Sequence, residues 1–163
     1  MKWKKVLPLL VLMIIIAVSA SAAAASQKRT FVAPLTGDEE VPPVETSARG
    51  QAVFQLSLDG SQLSYRLIVA NLENVNMAHI HLAPVGQNGP VVAWLYPEGP
   101  PPVQIDGRFS GVLALGTITA ADLVGPLEGQ TLDDLMDAIR DGDTYVNVHT
   151  SQFPAGEIRG QIR

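Results

Sequence analysis

Residues 50–69 read GQAVFQLSLDGSQLSYRLIV, and their alternation decides the fold. Ala52, Phe54, Leu56 and Leu58 fall on one side of an extended chain, with Gln51, Gln55 and Ser57 on the other. Beyond Asp59-Gly60, Leu63, Tyr65, Leu67 and Val69 alternate with Ser64 and Arg66. A period of two sends alternate side chains to opposite faces of a strand. Asp-Gly supplies the tight turn, because glycine tolerates a positive φ. The stretch is therefore a β-hairpin with one apolar face.

The same punctuation extends outward in both directions. All 14 Gly, and every Pro except Pro8, lie beyond residue 30, between short runs rich in Val, Leu, Ile, Phe and Tyr. That spacing predicts an all-β antiparallel sandwich or barrel. Phe31–Leu35, Met77–Leu82, Val91–Leu95, Phe109–Leu115, Tyr145–His149 and Gly156–Ile162 are the further strands expected. Gly37–Ser47 reads as a loop, acidic at Asp38, Glu39 and Glu40 and stiffened by Pro42 and Pro43. Pro97, Pro100, Pro101 and Pro102 bar residues 96–107 from a central strand. One short helix is expected near 132–141. Thr131 is its N-cap, Leu132, Leu135, Met136 and Ile139 its apolar stripe, and Gly142 its stop. Thr119–Leu123 reads as a further single turn.

A chain of 163 residues suits one ordinary domain. It carries 11 basic against 16 acidic side chains, a formal net charge of −5, and Lys2, Lys4 and Lys5 sit within the first five residues. An acidic body without a basic run argues against nucleic acid or anionic lipid as a partner. With no Cys, disulfides, thiolate catalysis and Cys-ligated zinc or iron–sulfur sites are excluded. Residues 1–25 run from a basic start through an apolar stretch to SASAAAA, the order of a signal peptide. An uncleaved N-terminal anchor is the alternative, since Val6–Ala25 approaches the roughly 20 residues a bilayer needs. Either way residues 26–163 form a single exported domain, secreted, periplasmic or cell-surface, with no membrane insertion once the leader is cut.

The three histidines carry the chemistry. His79 and His81 are two apart, so both imidazoles project from one strand face while Ala78, Ile80 and Leu82 take the other. Val146 and Val148 likewise oppose Tyr145, Asn147 and His149, and Ile158, Gly160 and Ile162 oppose Glu157, Arg159 and Gln161. In each segment one face is expected to be core and the other polar. If residues 77–82 and 145–149 are near neighbours, His79, His81 and His149 share a surface with Met77, Asn147, Glu157 and Arg159. Three neutral imidazoles suit copper or zinc, and leave a coordination position for water or a substrate. Asn147, Glu157 and Arg159 are candidates to support such ligands. An ordinary histidine titrates near 6.5, so binding is expected to weaken as pH falls through about that value. The competing reading is structural: His149 bonds the turn at 150–156, and His79 or His81 bonds the loop 83–90.

Weaker constellations stand beside this one. Glu157 and Arg159 read as a surface ion pair. Asp38, Glu39, Glu40 and Glu45 offer oxygen ligands for Ca²⁺, against a plain solvated acidic loop. The hydroxyls, Ser110 and Ser151 among them, have no visible His/Asp partner arrangement, and no helix or basic residue follows Gly86–Gly89 to make a phosphate cradle. Trp94 and Tyr96 fall on one strand face, marking either a binding surface or core packing.

Three stretches together resemble the CHRD (chordin) domain family: MAHIHLAPVGQNGPVVAWL at 77–95, ADLVGPLEGQTLDDLMDAIRDGDTYVNVHT at 121–150 and PAGEIRGQI at 154–162. The likeness runs from about Thr30 to Arg163, with the motifs in the family's order. It implies an immunoglobulin-like β-sandwich or barrel, found in exported bacterial proteins and repeated in chordin. It implies no established reaction, and chordin's cysteine-rich modules have no counterpart here. A looser similarity to copper–zinc superoxide dismutase is one of architecture only, since three His are too few for that family's two metals.

The leading reading is an exported, non-catalytic CHRD-like module with a copper or zinc site at His79, His81 and His149. The alternative is a protein-interaction or cell-envelope structural domain with structural histidines, its extracellular or envelope partner unidentified. A third is a metal-dependent redox enzyme. Cleavage is expected between Ala20 and Gln27. Intact-mass measurement of the native protein checks it, and a mass retaining Met1–Ala20 leaves the anchor.

Overall fold

The structure is a computed structural model that describes residues 28–163, so the expected leader and its expected cleavage between Ala20 and Gln27 lie outside the described residues. Eight strands form one antiparallel sheet. They are β1 (Thr30–Thr36), β2 (Arg49–Leu56), β3 (Leu63–Glu73), β4 (Val75–Leu82), β5 (Val91–Tyr96), β6 (Arg108–Ile118), β7 (Thr144–Thr150) and β8 (Ile158–Gln161). Their order across the sheet is β5-β4-β7-β8-β1-β2-β3-β6.

The hairpin at 50–69 forms as its pattern requires. β2 and β3 pair with Phe54 opposite Tyr65 and Ala52 opposite Leu67. Phe54, Leu63 and Leu67 are fully buried. Leu58 is 90% exposed, because β2 ends at Leu56 and the turn carries Leu58 off the sheet. Inward residues of all eight strands join one apolar cluster, from Phe31 and Leu35 through Ile80 and Leu95 to Val146 and Ile158. A sheet that surrounds a single core is a nearly closed barrel, as the all-β expectation requires. Its two edges, β5 and β6, approach where Tyr65 Oη donates to Leu95 O at 2.9 Å. Segment 119–124 lies along the free edge of β5, through an Ala93–Leu123 bridge and a Val124 N–H bond to Val92 O of 2.9 Å.

The expected helix is α1 (Leu132–Asp141). Thr131 and Asp134 form a reciprocal cap: Asp134 Oδ2 accepts from Thr131 N at 2.8 Å and Thr131 Oγ1 accepts from Asp134 N. Gly142 ends the helix in the left-handed region, at φ 80°. Leu132, Leu135, Met136 and Ile139 are buried in the core cluster. The turn expected at 119–123 is a 3-10 turn at Ala120–Asp122.

Leu135 has no exposed surface. Leu135→Ala should cost about 2–5 kcal/mol through lost burial and the cavity it leaves. Leu135→Asp should cost more, because a carboxylate there has no partner. Denaturant melts check both, and an unchanged midpoint would show that the stripe is not core.

Candidate functional site

The site is laid out by strand register. In β4 and β7, His79 stands opposite Asn147, His81 opposite Tyr145, and Met77 opposite His149. In β7 and β8, Asn147 pairs with Arg159 and Tyr145 with Gln161. Ala78, Ile80, Val146, Val148 and Ile158 point into the barrel core. The polar residues between them share the opposite face. His149 is therefore the diagonal neighbour of His79, within reach for an aromatic ring. The ring centroids of His79 and His149 are 5.0 Å apart, those of His79 and His81 5.6 Å, and those of His81 and His149 6.3 Å.

This polar face is largely shielded from solvent, with His81 half-buried at its margin. All seven residues of β7 are buried, as are Glu157, Arg159 and Gln161. Three loops cover it. From residues 37–47, Glu40 reaches Asn147, whose Nδ2 donates to Oε1 at 3.1 Å. From 83–90, Gln87 O and Asn88 Oδ1 accept from Arg159 at 2.7 and 3.1 Å. From 151–156, Pro154 O lies 3.0 Å from His149 Nδ1. Gln161 Nε2 donates to Ala83 O and Gly142 O. The barrel thus has an apolar core within and a largely covered polar layer against one side.

Inside that layer, Glu157 and Arg159 are not an ion pair. Glu157 accepts from Thr46 Oγ1 and Thr150 Oγ1, each at 2.8 Å. The guanidinium of Arg159 lies 3.4 Å over the Tyr145 ring. Tyr145 in turn stacks on His81, with centroids 4.8 Å apart and planes 9° from parallel. Trp94 meets His79 edge-on at 4.3 Å. Trp94 and Tyr96 do not share a face. A register irregularity in the β4–β5 ladder sets Trp94 opposite His79 and Tyr96 opposite Ala78, so Tyr96 packs toward the core.

The backbone fixes where the imidazole protons sit. His81 Nδ1 is 2.9 Å from Gly89 O, and His149 Nδ1 is 3.0 Å from Pro154 O. A carbonyl only accepts, so both Nδ1 atoms carry the proton and both Nε2 atoms keep a lone pair. His149 Nε2 then accepts from His79 Nδ1 at 3.1 Å. The Nε2 atoms of His79 and His81, and Oδ1 of Asn147, are buried without a partner. One nitrogen from each ring lies within 4.8 Å of the others, and no other such group of metal-ligating side chains occurs among the described residues. Four nitrogens around one zinc ion stand about 3.4 Å apart, given bonds of about 2.0–2.1 Å. His79 Nδ1 and His149 Nε2 already have that spacing, and rotation of the rings closes the rest. The acidic loop carboxylates form no such group. Asp38, Glu39 and Glu45 face solvent, while Glu40 turns inward.

Burial governs the charges. It holds His79 down at about 3, helped by His149 and His81. It holds His149 down at about 4 against the Pro154 bond, with His81 adding to the fall. His81 is lowered too, first by burial, with Arg159 repelling its proton and Gly89 favouring it. His79 and His149 are neutral well below the 6.5 at which free imidazole titrates, and His81 is shifted in the same direction. Glu40 is displaced the other way, to about 7, because burial outweighs the attraction of Arg159 and the Asn147 bond. Sequence reasoning placed Glu40 among solvated acids. No local signal marks its inward turn, which depends on a loop meeting a strand more than 100 residues away.

A folded-state value raised from 4.5 to about 7 stabilises fully below 4.5 and loses its contribution as pH rises through 7. Glu40→Gln keeps an acceptor for Asn147 and cannot ionise. It should raise stability at pH 8 by on the order of 2–3 kcal/mol and change it little at pH 4.5. Melting curves at the two pH values check this, and an equal effect at both would sink the burial argument.

No solved structure matches the chain. Chordin from Xenopus laevis is 28% identical over 134 residues, which cover 79% of this chain and 12% of that protein. The chain thus corresponds to a small part of its curated relative. The profile of the CHRD domain matches residues 31–162, from the first strand to the end of the last, and the chain belongs to the CHRD domain family.

Proposed function

We propose that this chain is an exported CHRD binding module, without a reaction of its own, that holds one copper or zinc ion on His79, His81 and His149. The single observation that carries the reading is the proton arrangement. Two of the three rings already donate Nδ1–H to backbone carbonyls, at Gly89 and Pro154. Metal-ligating histidines are held in this way, since the second nitrogen fixes the tautomer and turns the other lone pair to the ion. The bare Nε2 atoms of His79 and His81 are buried, where an unsatisfied polar atom costs about 1–3 kcal/mol. An ion would satisfy the lone pair of His81, while His79 would offer the nitrogen that now faces His149, Nδ1, with its proton moved to Nε2. Asn147, Glu157 and Arg159 bond the covering loops or the residues at their ends rather than the imidazoles, so their part is to enclose the site.

Export rests on the charge and hydropathy order of residues 1–25. Among the described residues no helix is long and apolar enough to cross a membrane. The relative's name is chordin, and a protein partner outside the cell or in its envelope is the corresponding proposal for this chain. A second reading has its own support. The His79–His149, His81–Gly89 and His149–Pro154 bonds are structural contacts whether or not an ion binds.

Titration calorimetry of the full chain with Cu²⁺ and with Zn²⁺ at pH 7.5 separates the two. One ion per chain should bind saturably and raise the melting temperature. His79→Ala, His81→Ala and His149→Ala should each weaken binding by on the order of 100-fold or more, and Glu157→Gln far less. Because burial lowers all three imidazoles, to about 3 for His79 and about 4 for His149, affinity should outlast the fall through the ordinary 6.5 and collapse toward pH 4. If neither ion binds saturably and the His→Ala changes lower stability alone, the histidines are structural.

A further inference from the structure

The barrel leaves a seam between β5 and β6, and the seam holds a cavity of about 390 Å³. Tyr65 and Trp94 are the aromatic residues that line it, and Glu98 and Asp122 are its charged groups. No Lys, Arg or His lines it. We propose that this cavity binds an organic cation, an alkylammonium or guanidinium group, carried by a free small molecule or by the side chain of a protein partner.

The two carboxylates are placed differently, and both are available. Asp122 Oδ2 accepts from Thr119 N and Thr119 Oγ1, each at 2.8 Å, which fixes the carboxylate at the cavity. Its Oδ1 makes no protein hydrogen bond among the described residues. Glu98 is exposed and forms no ion pair among them, since the single salt bridge there joins Arg140 and Asp137. The Tyr65 hydroxyl feels both acids. Burial raises its pKa first, and the charges of Glu98 and then Asp122 raise it further. Two uncompensated negative charges beside two aromatic rings are the chemistry that attracts a weakly hydrated cation, through Coulomb attraction and the ring quadrupole. A hard divalent ion fits poorly, because Ca²⁺ takes six to eight oxygens and two carboxylates supply too few. A neutral apolar ligand would bury the acids without an opposite charge. The volume accommodates a trimethylammonium head or a guanidinium.

The cavity is distinct from the histidine cluster but touches it through Trp94, which contacts His79 edge-on. The indole therefore reports on the cavity, and EDTA removes any metal contribution. The test uses the full chain with Trp3→Phe, which leaves Trp94 as the only indole. Its fluorescence is followed during titration with choline, with N-acetyl-arginine amide, and with 3,3-dimethylbutan-1-ol, the neutral isostere of choline. At least one cation should give a saturable emission change, with the isostere at least tenfold weaker than choline if choline is the one that binds. Glu98→Gln should weaken cation binding at least fivefold with an unchanged melting temperature, because Glu98 is exposed and holds no structural bond. Tighter binding of choline assigns the site to free quaternary amines, and tighter binding of the arginine amide assigns it to a partner's side chain. The proposal is overturned if neither cation saturates, if the isostere matches choline, or if Glu98→Gln changes nothing.

Discussion

Strand β7 is buried along its whole length, and the molecule is organised around that fact. Val146 and Val148 meet the apolar core, whereas Tyr145, Asn147 and His149 are covered on the other side by loops. A buried polar group costs stability unless it finds a partner, so the covering loops must present the right acceptors and donors in the right places. They do so largely with backbone carbonyls: Gly89 for His81, Pro154 for His149, Gln87 for Arg159 and Ala83 for Gln161. Loops that would otherwise be free surface connections are thereby tied to the sheet. The few atoms left unsatisfied in this layer are the Nε2 atoms of His79 and His81 and Oδ1 of Asn147. They lie on one face, on residues joined by register, and such a concentration is more informative than the same number of orphans scattered through the chain.

The parts of this design legible in the sequence were those encoded by neighbours in the chain. The hairpin at 50–69 shows its period of two, the helix at Leu132–Asp141 shows its stripe and both caps, and His79-Ile80-His81 shows that two rings share a face. Even the meeting of His149 with that pair follows once β4 and β7 are taken as neighbours. The rest was set by contacts between distant segments. A polar strand face reads as solvent-facing unless something covers it, and alternation does not report the cover. Glu157 and Arg159 look like partners at a spacing of two, yet Thr46 and Thr150 take one and the 83–90 loop takes the other. Trp94 and Tyr96 look like one face until a register irregularity in the β4–β5 ladder separates them.

Burial also changes what the histidines can do. In water an imidazole spends the range below 6.5 as a cation. Here the cost of desolvating charge keeps the rings neutral, and the nearby guanidinium of Arg159 acts in the same direction on His81. A neutral ring is a lone-pair donor, so suppressing protonation preserves the ligand form over a wider pH range. The same Arg159 charge opposes any cation at the cluster. Its stacking on Tyr145, and its bonds to Gln87 and Asn88, hold that charge toward the covering loop. Glu40 lies within the Coulomb field of the guanidinium and bonds Asn147, and burial raises it to about 7, so its negative charge in the layer develops only as pH passes that value.

The Gly-Glu-Ile-Arg-Gly run at 156–160 gains its meaning from this layer. Gly156 has φ 128°, and a Cβ there would collide with the Asn147 amide and the Glu40 carboxylate. Gly160 lies so close to β1 that a Cβ would strike the Pro34 carbonyl. Between them Glu157 and Arg159 turn into the polar layer and Ile158 into the core. One glycine lets the covering loop close on Asn147, and the other lets β8 sit against β1. The motif therefore specifies how a strand with two buried faces is enclosed. It contains none of the three histidines itself, and its part is to enclose the imidazoles of His79 and His149 that burial keeps neutral.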